Sequence, residues 1–386
     1  MRWLAGLSGR QHVWLVLVSA VGLLIVVVGV VHQQSTVEAP LAAVTVGMTV
    51  QQIAPQLDVT GRSLARELGL PLDTPKNTPV KTLGVTEEQL GDVVHHLLGH
   101  RESTLKYYVF VALALFALVF LARLGRPDGS PTTERGAWYP RWPYVAVLIV
   151  AVAVCGFALG KSPNPMEGTV KLFKSFTGLY PSIAEKLAAF LFFAVLAVIG
   201  NKLVCGWACP FGALQELVFS MPILRRLKQR KIPFAAANTA RSVLFIVMLL
   251  LLFGVIGGRR GFVVYHFVNP FGLFNLDIES VSIGITIVMA LALSAGVYRP
   301  FCQFVCPFGL VSWSLEWVSL FRVKIDRQRC VNCGACIRAC PSQAASGRVK
   351  GKRFPADCYS CARCLNVCPE EAIAYGLVER RPGGPP

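Results

Sequence analysis

Acidic residues are scarce in this chain. Asp and Glu number 21 against 38 Lys and Arg, and all charged residues together reach only 15% of 386, while 54% are hydrophobic. That poverty of charge excludes an ordinary soluble domain, in which about a quarter of residues are charged. The net charge of +17 is spread over loops and tail rather than gathered on one face. It therefore argues against a nucleic-acid partner and fits an anionic lipid surface. Histidine is rare too, with six in all, and no C-x-x-C-H occurs, so covalent c-type haem is excluded. No flavin-attachment motif is present, and no nucleophile or acid–base constellation that would carry substrate chemistry beyond electron and proton transfer.

Cysteine, by contrast, is abundant and patterned. Eight of the 13 form two copies of C-x-x-C-x-x-C-x-x-x-C-P: Cys330, Cys333, Cys336, Cys340 before Pro341, and Cys358, Cys361, Cys364, Cys368 before Pro369. This run holds [4Fe–4S] clusters in bacterial two-cluster ferredoxins, where the fourth cysteine ligates the other cluster. The expected ligand sets are Cys330, Cys333, Cys336 and Cys368 for cluster one, and Cys358, Cys361, Cys364 and Cys340 for cluster two. Structural zinc favours paired C-x-x-C at longer separations, and disulfide frameworks suit small secreted domains. The tight doubled spacing with both prolines favours iron–sulfur clusters over either.

Six apolar runs approach the roughly 20 residues that cross a bilayer as a helix: about 13–31, 107–122, 143–160, 182–200, 242–258 and 280–298. Glu185 and Lys186 near the start of the fourth are expected to snorkel to the interface. Basic residues concentrate between the second and third runs and between the fourth and fifth, where Lys202 and Arg241 are among them. This asymmetry places both termini and the cluster domain in the cytoplasm. The expectation is an α-helical integral membrane protein of about six transmembrane helices, multi-pass in a bacterial inner membrane, with a C-terminal α+β ferredoxin-like 2[4Fe–4S] domain. Its divisions are a cytoplasmic N-terminus with a first helix read as a retained signal anchor (1–31), a small helical periplasmic domain (32–105) and a second helix with a cytoplasmic loop (106–142). A duplicated helix-pair domain (143–310), an amphipathic connector (311–325), the ferredoxin domain (326–378) and a disordered tail (379–386) follow. Trp138, Tyr139, Trp142, Tyr144, Trp313 and Trp317 read as an interfacial belt.

The duplication is visible in the motifs. Cys205-Gly-Trp-Ala-Cys209-Pro-Phe-Gly recurs as Cys302-Gln-Phe-Val-Cys306-Pro-Phe-Gly, and each copy follows a helix pair joined by an Asn-Pro loop, Asn164-Pro165 or Asn269-Pro270. Two copies in one orientation imply a pseudo-two-fold axis along the membrane normal. The four thiols would converge and bind a metal or further cluster, cycle between dithiol and disulfide, or merely pack at a boundary. Proline after Cys209 and Cys306 marks a turn into a new segment. His266 and Glu167, in the two outer loops, are candidates to take protons from a bound quinol, or plain hydrogen-bonded loop residues.

Two C-x-x-x-C-P motifs after paired helices, followed by a two-cluster ferredoxin domain, resemble the NapH/NosR family of membrane polyferredoxins over about residues 143–375. The resemblance implies that Cys205, Cys209, Cys302 and Cys306 occupy the family's characteristic positions. It also implies a quinol dehydrogenase component, an oxidoreductase that passes electrons between the quinone pool and a redox partner, either a periplasmic cytochrome or reductase or a cytoplasmic donor. The alternative is an assembly or maturation factor, of the CcoG or methylamine-utilisation type, that reduces a metal or thiol in a partner protein. The flavin-binding domain of NosR and the immunoglobulin-like domain of CcoG have no counterpart in the sequence.

Overall fold

The computed structural model describes residues 44–377 except 58, 60, 72–73, 100–103, 125–141, 179–182, 222–227, 229–230, 258–260, 277, 279 and 353–354. The first apolar run, the 379–386 tail, Trp138 and Tyr139 lie outside the described residues.

A small helical unit comes first, with α1 (Val50–Gln56), α2 (Gly61–Glu67) and α3 (Glu87–Gly99). Two capping boxes start its helices. Thr49 accepts from the Gln52 backbone while the Gln52 side chain returns to Thr49, and Thr86 and Gln89 repeat the exchange. Each box satisfies two otherwise orphaned donors. Ile53, Leu64, Val80, Leu90 and Val94 form its core. Helix α4 (Thr104–Leu124) then carries the chain away: Lys106 at its start bonds the carbonyl of Gly160, and the helix also packs against the sheet of the cluster domain.

The duplicated region follows. Helix α5 (Trp142–Ala158) turns from α to π geometry at Ala151. After it come α6 (Pro165–Ser175), α7 (Ile183–Gly200), the short α8 (Leu203–Trp207) and α9 (Pro210–Ser220). The second copy comprises α10 (Phe234–Leu252), a 3-10 turn Pro270–Asn275, α11 (Val281–Ser294), the short α12 (Pro300–Phe304) and α13 (Pro307–Leu315). Packing is exchanged between copies. Helix α9 lies against α5 of its own copy and α11 of the other, while α13 lies against α10 of its own copy and α7 of the other. Two-fold symmetry demands this arrangement.

Helices α4, α7 and α10 are long and apolar enough to cross a membrane; α5 and α11 are apolar but shorter. At 1.5 Å per residue the 14 residues of α11 reach about 21 Å, short of a ~30 Å hydrocarbon layer. The fifth apolar run is displaced: its helix begins at Phe234 and stops at Leu252. Arg241 does not exclude its surroundings from the helix because its guanidinium is paired internally, and Gly254, at φ 74°, ends it. Lys186 is buried within 3.7 Å of Glu185, where snorkelling was expected. Tyr144 departs from the predicted belt as well. It is buried, its ring against Trp207 and its hydroxyl on the Gly206 carbonyl.

The cluster domain is built on β1 (Phe321–Ile325) paired antiparallel with β2 (Ile373–Leu377), in the register Phe321↔Leu377. Between the strands lie α14 (Ala335–Ala339), α15 (Ala344–Val349) and α16 (Arg363–Asn366). The stretch read as a 311–325 connector is thus divided between the end of α13 and β1. One apolar core runs unbroken from α4 and α7 through Trp207 to Phe321, Ile373 and Tyr375.

Candidate iron–sulfur and thiol centres

The two ferredoxin runs fold into the same local shape. In each, a left-handed residue (Gly334 at φ 71° or Ala362 at φ 63°) starts a short helix that carries the third cysteine, and the prolines after Cys340 and Cys368 close the run. Two cavities result. One is lined by Cys330, Cys333, Cys336 and Cys368, the other by Cys340, Cys358, Cys361 and Cys364. All eight cysteines are unbridged. Among the described residues no three His, Cys, Asp or Glu side chains converge closely enough for a single metal ion. Four thiols around each hollow are the donor set that a [4Fe–4S] cluster takes. Burial pushes the Cys358 thiol up to about 12, and burial likewise raises Cys361 and Cys364, with Cys340 adding to both. Thiols so placed need bound positive charge before they become thiolates.

Two buried carboxylates fasten this domain to the helices. Asp357, directly before Cys358, accepts from Lys202 and from Arg241, with Arg241 at 2.9 and 3.2 Å. Glu216 on α9 pairs with Arg299 at 2.8 Å and with Arg363, between Cys361 and Cys364, at 2.7 Å. None of these side chains is more than 2% exposed. Lys202 and Arg241, counted by sequence as loop charges, are therefore interior groups. Neutral contacts add to the junction. The Trp207 indole donates to Ser360 O at 3.0 Å and the Tyr375 hydroxyl to Gly200 O at 2.8 Å. A Cβ on Gly206 would overlap the Tyr359 carbonyl oxygen, so only glycine permits this approach.

The C-x-x-x-C-P thiols stand on the other side of the same junction. Cys205 and Cys302 lie in α8 and α12, while Cys209 and Cys306 are the N-cap residues of α9 and α13. Cys205 packs against the apolar cluster that holds Cys302, and Cys306 against the one that holds Cys209, so the two motifs come together. Lys202 and Arg299 occupy matching left-handed positions, φ 58° and 45°, at the starts of α8 and α12. Each reaches into the opposite copy: Lys202 donates to Gly309 O at 2.8 Å and Arg299 to Gly206 O at 2.8 Å.

His266 and Glu167 are not brought into contact by any observed bond. The His266 ring nitrogen lies 3.3 Å from Lys174 Nζ, whereas Glu167 bonds Ser162 and Asn164 and pairs with Lys171 at 3.1 Å. Glu167 and Lys174 lie at opposite ends of α6, about 10 Å apart along the helix axis. Sequence reasoning missed Asp357, Glu216, Arg299 and Arg363. Asp357 and Arg363 had only their position next to a ferredoxin cysteine as a signal, Arg299 its place one residue before a motif helix, and Glu216, within a motif helix, had none.

Two family models match the chain: a 4Fe-4S binding domain over residues 186–231 and a 4Fe-4S dicluster domain over residues 300–344. Ferredoxin-type protein NapH of Haemophilus influenzae is 26% identical over 181 residues, 45% of this chain and 59% of the relative. Methylamine utilization ferredoxin-type protein MauN of Methylorubrum extorquens is 28% identical over 169 residues, 42% of this chain and 56% of the relative. Regulatory protein NosR of Pseudomonas aeruginosa is 30% identical over 166 residues, 41% of this chain and 23% of the relative. The chain thus spans from about a quarter to three fifths of the length of these relatives. No solved structure matches. In its paired motifs, its 4Fe-4S family models and these relatives, the chain is similar to the ferredoxin-type proteins of the NapH/NosR-like polyferredoxin family.

Proposed function

We propose that this protein resides in the bacterial inner membrane and exchanges electrons between the quinone pool and a redox partner. In this reading the eight C-terminal cysteines hold two [4Fe–4S] clusters in the crossed pattern. The observation that carries it is the lining of the two cavities: each collects three cysteines of one run and the fourth of the other. Bound clusters supply reversible one-electron chemistry at potentials set by the surroundings. The protein's own part is to hold the thiolates, bury them and fix their position against the helices. Asp357, directly before the second run, and Arg363, inside it, perform that fixing through buried partners on the helical region.

Apolar α4, α7 and α10 support the membrane reading. The basic loops support a cytoplasmic cluster domain, with residues 32–105 in the periplasm. His266 and Lys174, whose polar atoms meet beside the second Asn-Pro loop, are the side chains best placed to exchange a proton with a quinol. Glu167 belongs to a separate hydrogen-bonded cap. Purified protein in liposomes, given a quinol analogue while cluster absorbance is followed, tests the quinone link. Quinol-dependent bleaching is expected. No bleaching, together with reduction by a cytoplasmic donor and onward transfer to a metal or thiol, would replace this function with that of a maturation factor.

A further inference from the structure

The helical region contains a second sulfur-rich centre that the ferredoxin runs do not explain. Cys205, Cys209, Cys302 and Cys306 have at most intermediate exposure, are unbridged and converge from the two copies. The first family match, described as a 4Fe-4S binding domain, includes only Cys205 and Cys209 from this centre. Two thiols cannot complete a four-ligand site, and the repeat supplies the other two.

Polar groups surround the sulfurs at positions related by the repeat. The backbone N–H of Gly212 serves Cys209 and that of Gly309 serves Cys306. Both amides belong to the first turns of helices whose N-caps are these cysteines, where unpaired N–H groups and the helix dipole favour anionic sulfur. The Gln215 amide donates to Cys302 at 3.3 Å, across the copies. Ser312, 97 residues later in the equivalent place, lies beside Cys205 and gives its hydroxyl proton to Phe308 O at 2.7 Å. Polar side chains thus stand beside the thiols at positions related by the repeat.

Two further hydroxyls point to a missing group. Tyr265, 1% exposed and within electrostatic reach of Cys306, has no hydrogen-bond partner among the described residues. Tyr359, 3% exposed and within reach of Cys302, has none either. Buried hydroxyls are normally satisfied. Tyr265 approaches from the Asn-Pro side and Tyr359 from the cluster domain.

We propose that Cys205, Cys209, Cys302 and Cys306 jointly hold a third iron–sulfur cluster inside the helical region. Its location follows from contacts. Phe211 after Cys209 lies 6.0 Å from Phe271 of the Asn-Pro turn, and a Cβ at Gly156 would come within 2.6 Å of Phe274 and 3.2 Å of Pro210. One side-chain layer therefore separates this centre from the Asn-Pro turn. On its other face, Gly206 and Trp207 touch the Tyr359–Ser360 loop between Cys358 and Cys361. The four thiols therefore stand between the Asn-Pro turn and the loop that carries the second ferredoxin run. Their binding of a cluster does not depend on quinone, although a relay role for it rests on the function proposed above.

The test is iron and acid-labile sulfide per chain in anaerobically purified, full-length protein, with EPR of the reduced state. Wild type is expected to exceed the roughly eight irons that two [4Fe–4S] clusters need. The Cys209→Ala/Cys306→Ala variant should lose about two to four irons, the content of one cluster, and retain both ferredoxin signals. Wild-type thiols at the four positions should resist alkylation until the protein is unfolded. Wild type with only about eight irons, zinc in place of iron, or ready alkylation of the four thiols in folded protein would overturn the proposal. Failure of the ferredoxin signals themselves would instead refute the two-cluster reading, so the two outcomes are separable.

Discussion

Asp357→Ala should loosen the cluster domain from the helices more than any other single change at the junction. Its carboxylate neutralises two cations, Lys202 and Arg241, and all three side chains are at most 2% exposed. After the substitution Lys202 retains Gly309 O and Arg241 retains Asn238 Oδ1, both neutral acceptors. Breaking a buried ion pair by removing one partner costs about 3–5 kcal/mol, because an uncompensated charge stays buried. Two cations share this carboxylate, which places Asp357→Ala at the upper end of that range. At about 2 °C per kcal/mol for a large chain, the midpoint of thermal cluster loss should fall by roughly 6–10 °C. The assay is cluster absorbance during heating in detergent under anaerobic conditions, at matched scan rates. Asp357→Asn separates charge from shape and should lie close to Asp357→Ala. Adding Lys202→Met to Asp357→Asn removes one of the stranded cations and should recover part of the loss, a coupling measurable by a double-mutant cycle. If Asp357→Ala shifts the midpoint by less than about 2 °C, or Lys202→Met makes the Asn variant worse, the charge argument fails.

Further consequences concern the same junction and the ligands. Cys340→Ala should deplete the cluster of the Cys358, Cys361 and Cys364 cavity while leaving that of its own run, so EPR should show one ferredoxin signal remaining; loss of the Cys330-side signal alone would refute crossed ligation. Gly206→Ala forces the Tyr359 backbone to move, and overpacking of this kind costs about 1–3 kcal/mol, which should appear as faster proteolysis between the helical region and the cluster domain. Tyr375→Phe removes only the bond to Gly200 O and should destabilise by about 1 kcal/mol in the same heating assay. His266→Phe should slow quinol-dependent cluster reduction by about a hundredfold while reduction by dithionite is unchanged; an equal effect of Glu167→Gln would place the proton site at the Glu167 cap instead.

Much of this organisation was legible in the sequence, for identifiable reasons. Ferredoxin runs announce themselves by spacing, since three ligands sit on one short loop, and the two expected sets each line one cavity. The repeat was equally legible because Cys-Pro imposes its own geometry: proline forces Cys209 and Cys306 out of helix and into N-caps wherever they occur. What composition could not reveal was which cations are interior. Lys202, Arg241 and Arg299 look like topology charges, because the positive-inside pattern counts a lysine without asking what it touches. Their partners, Asp357 and Glu216, are separated from them in sequence by 155, 116 and 83 residues. Such pairings exist only once the two copies interlock and the cluster loop settles against them. The scarcity of acidic residues then acquires a second meaning. Among the described residues Asp357 and Glu216 are at most 2% exposed, and each pairs with two buried cations at the junction. A buried ion pair adds little net stability over an apolar substitute, but it admits far fewer alternative arrangements. Two such carboxylates at one junction are therefore better explained as fixing the separation between the ferredoxin thiols and the four thiols of the repeats. Electron transfer is sensitive to that separation, and overall stability is not.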